Sequence, residues 1–373
     1  MTADVLIVGA GPAGIGMAAM LNRIGVTSTI LERHEIGASF RRWPEGMRLI
    51  TPSFTANQFG LPDLNAVTPD TSPALSLQDE HPTGPAYAAY LDMVAELEDL
   101  GVRTGIEVTD VAPRGDGDLE VRTTGSTNGA AWRARFVVWA AGELQYPRTR
   151  GFPGAERCVP TVQVRRWDAH PGDDVVIIGG FESGIDAAVN LVNRGRRVIV
   201  LDRDAPWEVV DADPSLALSP YTLGRLREAR DTGALQLVSG VEVEAVTFPE
   251  RGATVHATDG RSWHADGPPL LAIGFDGSLE VIRDRFKRDE HGRVVLTEQA
   301  DESTVTPGLF LAGPAVTHRE AIFCFVYKFR QRFGVVAREI GDRLGADTEP
   351  LEQLRAQQFL LDDLSCCELE CAC

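Results

Sequence analysis

Two stretches of the chain repeat one pattern of apolar runs and small-residue turns. In DVLIVGAGPAGIGMAAMLNRIGVTSTILER, the run from Val5 to Val8 leads into Gly9-x-Gly11-x-x-Gly14 and then into a helix-like segment through Ile24. A second run, Thr29 to Leu31, ends at Glu32. In DVVIIGGFESGIDAAVNLVNRGRRVIVLDR, Val175 to Ile178 lead into Gly179-Gly180-x-x-Ser183-Gly184. A helix follows, and then Val198 to Leu201, ending at Asp202. The last glycine and the acidic residue are 18 positions apart in both copies. Continuous apolar runs bounded by glycine predict buried parallel strands, and each copy reads as a strand–turn–helix–strand unit.

Two further pieces match each other. RFVVWAAGELQYP and PPLLAIGFDG are apolar strands followed by small-residue turns, at Ala140-Ala141-Gly142 and Ala272-Ile273-Gly274. Towards the C-terminus, Ile322, Val326, Phe329, Phe333, Val336 and Ile340 keep helical spacing and predict a helix from about 320 to 344. In DTEPLEQLRAQQFLLDDLSCC a short helix is expected after Pro350, with Leu351, Leu354, Phe359 and Leu361 available for docking. In DADPSLALSPYTLGRLREA a polar loop precedes a helix, which either shapes a pocket or covers a sheet.

The glycines suit a dinucleotide pyrophosphate, because backbone N–H groups at a helix N-terminus can then approach the phosphates. The acidic residue about twenty positions on accepts ribose hydroxyls. The second copy departs from this pattern at the middle glycine, where Phe181 stands.

Composition narrows the reading. At 373 residues and 43% hydrophobic content, the chain has length and apolar mass for two domains. A formal charge of −18 argues against non-specific binding to nucleic acid or anionic lipid. No apolar run reaches the roughly 18 residues of a membrane span. MTADVLIVGAGPAG carries no basic leader, so a cytoplasmic location is expected, where thiols stay reduced. The six cysteines then point to redox or metal chemistry rather than a disulfide framework. The seven histidines are scattered without metal-binding helix spacing.

Two such units with their strand–turn connectors resemble the two-dinucleotide-binding-domain flavoproteins, which include thioredoxin reductases, bacillithiol-disulfide-reductase-like proteins and flavin-containing monooxygenases. The resemblance covers residues 1 to about 345. It implies an α/β fold of two Rossmann-like dinucleotide-binding domains, with the NAD(P)H domain inserted into the FAD domain. The implied boundaries are 1–150 and 269–345 for the two parts of the FAD domain, 151–268 for the insertion, and 346–373 for a C-terminal helix and tail.

On this resemblance Gly9, Gly11, Pro12, Ala13 and Gly14 form the FAD pyrophosphate turn, with Glu32 and Arg33 at the adenosine ribose. IGASFRRW resembles the segment that approaches the flavin, placing Gly37, Ser39 and Trp43 on that side. Val108 matches the position whose backbone meets adenine, and Ala141 and Gly142 lie in the connector turn. TPGLFLAGPAVTHREA resembles the terminal flavin-binding stretch, but Gly313-Pro314 stands where the family has Gly-Asp. His318 is either a proton donor near the flavin or a surface histidine. Gly179, Gly180, Ser183, Gly184, Asp202 and Arg203 correspond to the NAD(P)H turn. Asp202 repels a 2′-phosphate and favours NADH, whereas Arg203 could clamp that phosphate instead.

Where the electrons go is less determined. The chain lacks the inner Cys-x-x-Cys or Cys-x4-Cys pair of the disulfide reductases; its first cysteine is Cys158. Flavin monooxygenases carry Phe-x-Gly-x-x-x-His before the second glycine turn, and FPGAERC has Cys158 in place of the histidine. WPEGMRLITPSF and TGPAYAAYL nevertheless resemble segments of the monooxygenases and bacillithiol-reductase-like proteins.

That leaves SCCELECAC at the end. LSCC resembles the C-terminal pair of mercuric reductases. Residues 362–373 can extend about 40 Å, enough to reach an active site of their own or a neighbouring subunit. Cys366, Cys367, Cys371 and Cys373 could relay electrons to a disulfide. They could equally hold a soft metal ion, or form an exposed oxidation-prone tail. Glu368 and Glu370 raise neighbouring thiol pKa values and oppose the relay. The expectation is an FAD- and NAD(P)H-dependent oxidoreductase, a homodimer by family analogy, that reduces a small-molecule or protein disulfide or a soft metal ion. The alternatives are a flavin-dependent monooxygenase-like enzyme and a flavin-containing redox or metal sensor.

Overall fold

The computed structural model describes residues 1–54, 62–125, 131–211 and 213–365. The chain forms two compact units. The first comprises the described residues of Met1–Arg41, Thr51–Gln145 and 277–365; the second comprises those of Arg42–Ile50 and Tyr146–Asp276.

The first unit is built on a mixed sheet. Strands β1 (Thr2–Val8), β2 (Ser28–Leu31), β3 (Gly101–Arg103), β4 (Ile106–Pro113), β5 (Leu119–Gly125) and β6 (Trp132–Trp139) lie in the order β3-β2-β1-β6-β5-β4. Strands β3, β2, β1 and β6 are parallel, whereas β4 and β5 join as an antiparallel meander. The all-apolar stretch of β1 is explained by its place between β2 and β6 under helix α1 (Pro12–Arg23), where Val5, Leu6 and Ile7 have no exposed surface.

The second unit repeats this plan. Strands β7 (Val159–Pro160), β8 (Asp174–Ile178), β9 (Arg197–Leu201), β10 (Leu235–Val238) and β14 (Leu270–Leu271) form a parallel sheet in the order β10-β9-β8-β14-β7. Helix α2 (Glu182–Val192) joins β8 to β9, and α3 (Pro220–Asp231) joins β9 to β10. A three-stranded antiparallel sheet of β11 (Val243–Thr247), β12 (Ala253–Ala257) and β13 (Ser262–Ala265) completes the unit. Ile177, Ile185, Leu191, Val200 and Leu270 belong to one fully apolar cluster. Its Trp167 donates an indole hydrogen bond to the Glu45 carbonyl at 2.8 Å, which ties Arg42–Ile50 into this unit.

After Gly277 the chain returns to the first sheet. Strand β15 (Leu309–Leu311) pairs in parallel with β6. The helix expected over about 320–344 begins later. Thr317–His318 and Ala321–Ile322 form a small antiparallel hairpin, Ile322 lies on a strand, and helical structure starts at Val326. The main segment, α4 (Phe333–Leu344), buries Phe333, Val336 and Ile340 as the spacing implied. Beyond it Glu349–Leu354 is a 3-10 turn, and Leu351, Leu354 and Phe359 are fully buried.

Candidate functional site

The first glycine turn is shaped by three close approaches. Gly9 has φ +100°, and a Cβ there would lie 2.7 Å from the Ala140 carbonyl oxygen and 2.9 Å from the Ala141 Cα. A Cβ on Gly14 would collide with the Gly9 carbonyl, so this glycine lets α1 pack against β1. A Cβ on Gly11 would meet nothing within 4 Å. The protein chain itself leaves this space open, as the approach of a pyrophosphate to the backbone would need.

The other first-unit positions gather around this turn. The Glu32 carboxylate accepts the Ala10 amide at 2.9 Å and the His34 amide at 2.7 Å. Gly37 donates its amide to the Ala10 carbonyl at 3.0 Å, bringing the IGASFRRW segment, with half-buried Ser39, to the turn. Gly313, at φ +111°, would place a Cβ 3.2 Å from the Ala13 Cβ, so the terminal stretch and Pro314 also come to the N-terminal end of α1. Arg33 pairs with Glu107 at 3.1 Å and donates to Gln145 at 2.9 Å. Val108 is buried on β4, beside an irregularity in its pairing with β5. Pro12 opens α1, where its missing N–H leaves no hydrogen bond unmade. Gly142, at φ +67°, turns the chain after β6. These residues fit an FAD pyrophosphate and ribose.

Trp43 lies on Arg42–Ile50, which belongs to the second unit.

The second turn reproduces the first in detail. Gly179 also has φ +100°, and its amide bonds the Leu201 carbonyl at 2.9 Å as Gly9 bonds Leu31 at 2.8 Å. A Cβ on Gly184 would collide with the Gly179 carbonyl. Asp202 accepts the Gly180 amide at 2.6 Å and the Asp204 amide at 2.7 Å. Ser183 sits in the first turn of α2. Arg203 is exposed and paired with Asp204 at 3.1 Å. The backbone and the acid suit a dinucleotide; the Phe181 side chain is the departure.

Two residues that sequence reasoning passed over stand beside these turns. The Trp207 ring packs against Gly180, so tightly that a Cβ on Gly180 would clash with it. Glu143 follows Gly142, and burial raises its carboxyl above the ordinary range. Neither has a motif, although an acid directly after a connector glycine is a usable signal.

Expectations about side chains around the terminal stretch need correction. His318 is not on the surface: it is buried, and its Nε2 lies 2.6 Å from the Asp301 carboxylate. Asp301 is fully buried at φ +54° and also pairs with Arg332 at 2.7 Å. His318 and Arg332 thus meet the same buried carboxylate. Cys324 lies inside the range expected to be helical but precedes the first helical residue, Val326, and is half-buried.

Cys158 is buried, its thiol faces the Gly154 carbonyl at 3.5 Å, and burial pushes it up to about 12. Neither Cys158 nor Cys324 is in a disulfide. Cys366, Cys367, Cys371 and Cys373 lie outside the described residues. Among the described residues no group of three or more His, Cys, Asp or Glu could hold a metal ion. Nor, among them, is any helix long and apolar enough to cross a membrane.

Comparison with known proteins agrees with this geometry. Residues 6–313 match the family described as pyridine nucleotide-disulphide oxidoreductase. Bacilliredoxin reductase Bdr of Bacillus subtilis (strain 168) is 24% identical over 353 residues, which cover 91% of this chain and 97% of that protein. The bacillithiol disulfide reductase Bdr of Staphylococcus aureus superposes with a TM-score of 0.73 at 20% identity, over 92% of this chain and 99% of the other. A flavin-containing monooxygenase from Stenotrophomonas maltophilia gives 0.71 at 19% identity, over 92% and 99%. The two solved structures share the fold.

Proposed function

Because the chain belongs to the pyridine nucleotide-disulphide oxidoreductases, whose cofactors are FAD and NAD(P)H, we propose that it reduces a disulfide through its C-terminal cysteines. Gly9 to Gly14, Glu32 and Gly313 would hold FAD, which when bound would supply electrons two at a time from the nicotinamide. Two tail thiols are the next carriers. A tail disulfide that gains two electrons and two protons becomes two thiols. One thiolate then attacks an external disulfide and releases the first substrate thiol. The second tail thiolate displaces the other substrate thiol and restores the tail disulfide.

The observation that carries this reading is the state of the cysteines in the folded body. Cys158, with its thiol held protonated by burial, is a poor nucleophile, and it and Cys324 stand far apart in sequence, unlike a Cys-x-x-Cys pair. The four remaining cysteines follow a firmly docked segment. Arg332 donates to the Leu361 carbonyl at 2.5 Å, Leu361 donates to the Gln331 carbonyl at 2.8 Å, and Arg338 pairs with Asp362 at 2.8 Å. The cysteine stretch therefore starts from a fixed point on the first unit, which carries the FAD turn.

NADH is the favoured donor in this proposal. Arg203 is the only basic residue between Leu201 and Ser219, and Asp204 already pairs with it. A 2′-phosphate would meet Asp202 and Asp204, with Arg203 already paired. Bacilliredoxin reductase, a relative aligned over nearly its whole length, supports a disulfide acceptor. A soft metal ion is the alternative acceptor for the same thiols.

Truncation after Leu364 is the direct test. It should abolish disulfide turnover while leaving bleaching of the flavin by NAD(P)H intact; unchanged turnover would overturn the role of the tail. The monooxygenase reading draws on the Stenotrophomonas fold match, and predicts oxygenated product that persists after the truncation.

A further inference from the structure

The two glycine turns differ at one position in a way the backbone does not require. Gly11 has φ −84° and ψ −173°; Phe181 has φ −83° and ψ −167°. Both are extended conformations open to any residue. The space beside Gly11 is empty of protein atoms, and Phe181 sends its Cβ and ring from the equivalent backbone position. Phe181 is 37% exposed, so it is not locked into the core. The next residue, Glu182, does not compete for the place. Its carboxylate accepts the Ser219 amide and the Thr222 hydroxyl at the start of α3. On the other side, Trp207 closes over Gly180.

We propose that the Phe181 side chain occupies the place where the pyrophosphate of the nicotinamide dinucleotide approaches the second turn, acting as a gate that must swing aside before the nucleotide binds. A middle glycine in this motif exists so that backbone amides can come close to the phosphates. A phenyl ring at that place imposes a displacement cost on every binding event, and the cost appears as weak affinity. The ring does not discriminate NADH from NADPH, since it acts on the pyrophosphate both share. Phe181 thus sets affinity, whereas Asp202, Arg203 and Asp204 set the choice of donor. The inference rests on assignment of the nicotinamide nucleotide to this unit.

The test is equilibrium binding of ADP-ribose, which carries the pyrophosphate and both riboses but no nicotinamide, measured by isothermal titration calorimetry on the FAD-loaded protein. Phe181→Gly and Phe181→Ala should bind at least about tenfold more tightly than the unsubstituted protein, a change well within the reach of one side chain. KM for NADH should fall in parallel. Phe181→Leu keeps a bulky side chain and should stay within about threefold of the unsubstituted protein. Thermal unfolding of each variant identifies any that fails to fold, and Phe181→Ala carries the test if Phe181→Gly does. Equal or weaker binding by a folded small-residue variant overturns the gate, and so does a gain by Phe181→Leu as large as that of Phe181→Gly. Absence of binding by every form, the unsubstituted protein included, overturns the gate and the nucleotide assignment together.

Discussion

Gly11 and Phe181 occupy the same place in two copies of one turn, with backbone angles that agree within about 6°, yet one is the smallest residue and the other an aromatic. Around them the copies correspond bond for bond: Glu32 accepts the Ala10 amide and Asp202 accepts the Gly180 amide. The repeat thus preserves the scaffold of a dinucleotide site twice and alters its contact surface once.

Glu32 ties the first turn together, so its loss should reach the cofactor. Glu32→Ala leaves the Ala10 and His34 amides without their acceptor, at about 1–3 kcal/mol for a buried donor. The purified variant should carry less than half of the normal flavin, read from the ratio of absorbance at the flavin band to that of protein. A full flavin complement would contradict the assignment.

Donor choice should respond to the acids beside Arg203. The double variant Asp202→Ala, Asp204→Ala removes the repelling carboxylates and frees Arg203 from its pair. Its preference, measured as kcat/KM for NADPH over NADH, should shift towards NADPH by about tenfold. No shift would show that the 2′-position is read elsewhere.

The Asp301, His318 and Arg332 cluster anchors the end of the chain. Arg332→Met strips a fully buried carboxylate of its guanidinium partner, leaving only His318, and breaks the bond to Leu361, which should destabilise by about 3–5 kcal/mol. Denaturant unfolding measures the loss, and limited proteolysis should cut earlier between Arg355 and Ser365 than in the unsubstituted protein.

Acid sensitivity has an identifiable source in the second unit. Burial, with Arg196 nearby, pushes His170 down to about 4. The unfolded chain takes up this proton near the ordinary histidine range while the folded one resists it. Stability from His170 is thus complete above about 6.5 and is lost as pH falls towards 4. His170→Gln should flatten this part of the stability profile, measured as Tm against pH; an unaltered slope would place the sensitivity in other groups.

Cys158 should behave as a packing residue. Cys158→Ala should cost about 1 kcal/mol and leave disulfide turnover unchanged. A thiol reagent should not label Cys158 in the native protein.

Much of this was legible in the sequence because it depends on local order. Strand, glycine turn, helix and acid follow one another within thirty residues, and every bond from Glu32 or Asp202 back to its turn lies inside that span. Readings that depended on distant partners failed. His318 gives no sign of burial because Asp301 and Arg332 lie 17 and 14 residues away on other elements. The helix start was misplaced because Ile322 keeps helical spacing with Val326 and Phe329 while lying in a hairpin.

The central claim is that electrons pass from flavin to the C-terminal cysteines, and an anaerobic titration with NADH that counts thiols tests it most directly. The oxidised protein should consume more reducing equivalents than its flavin alone accepts. Each further two-electron equivalent should produce two new thiols, and the four-fold variant with Cys366, Cys367, Cys371 and Cys373 changed to serine should produce none. Complete flavin reduction with an unchanged thiol count in the unsubstituted protein would contradict the account.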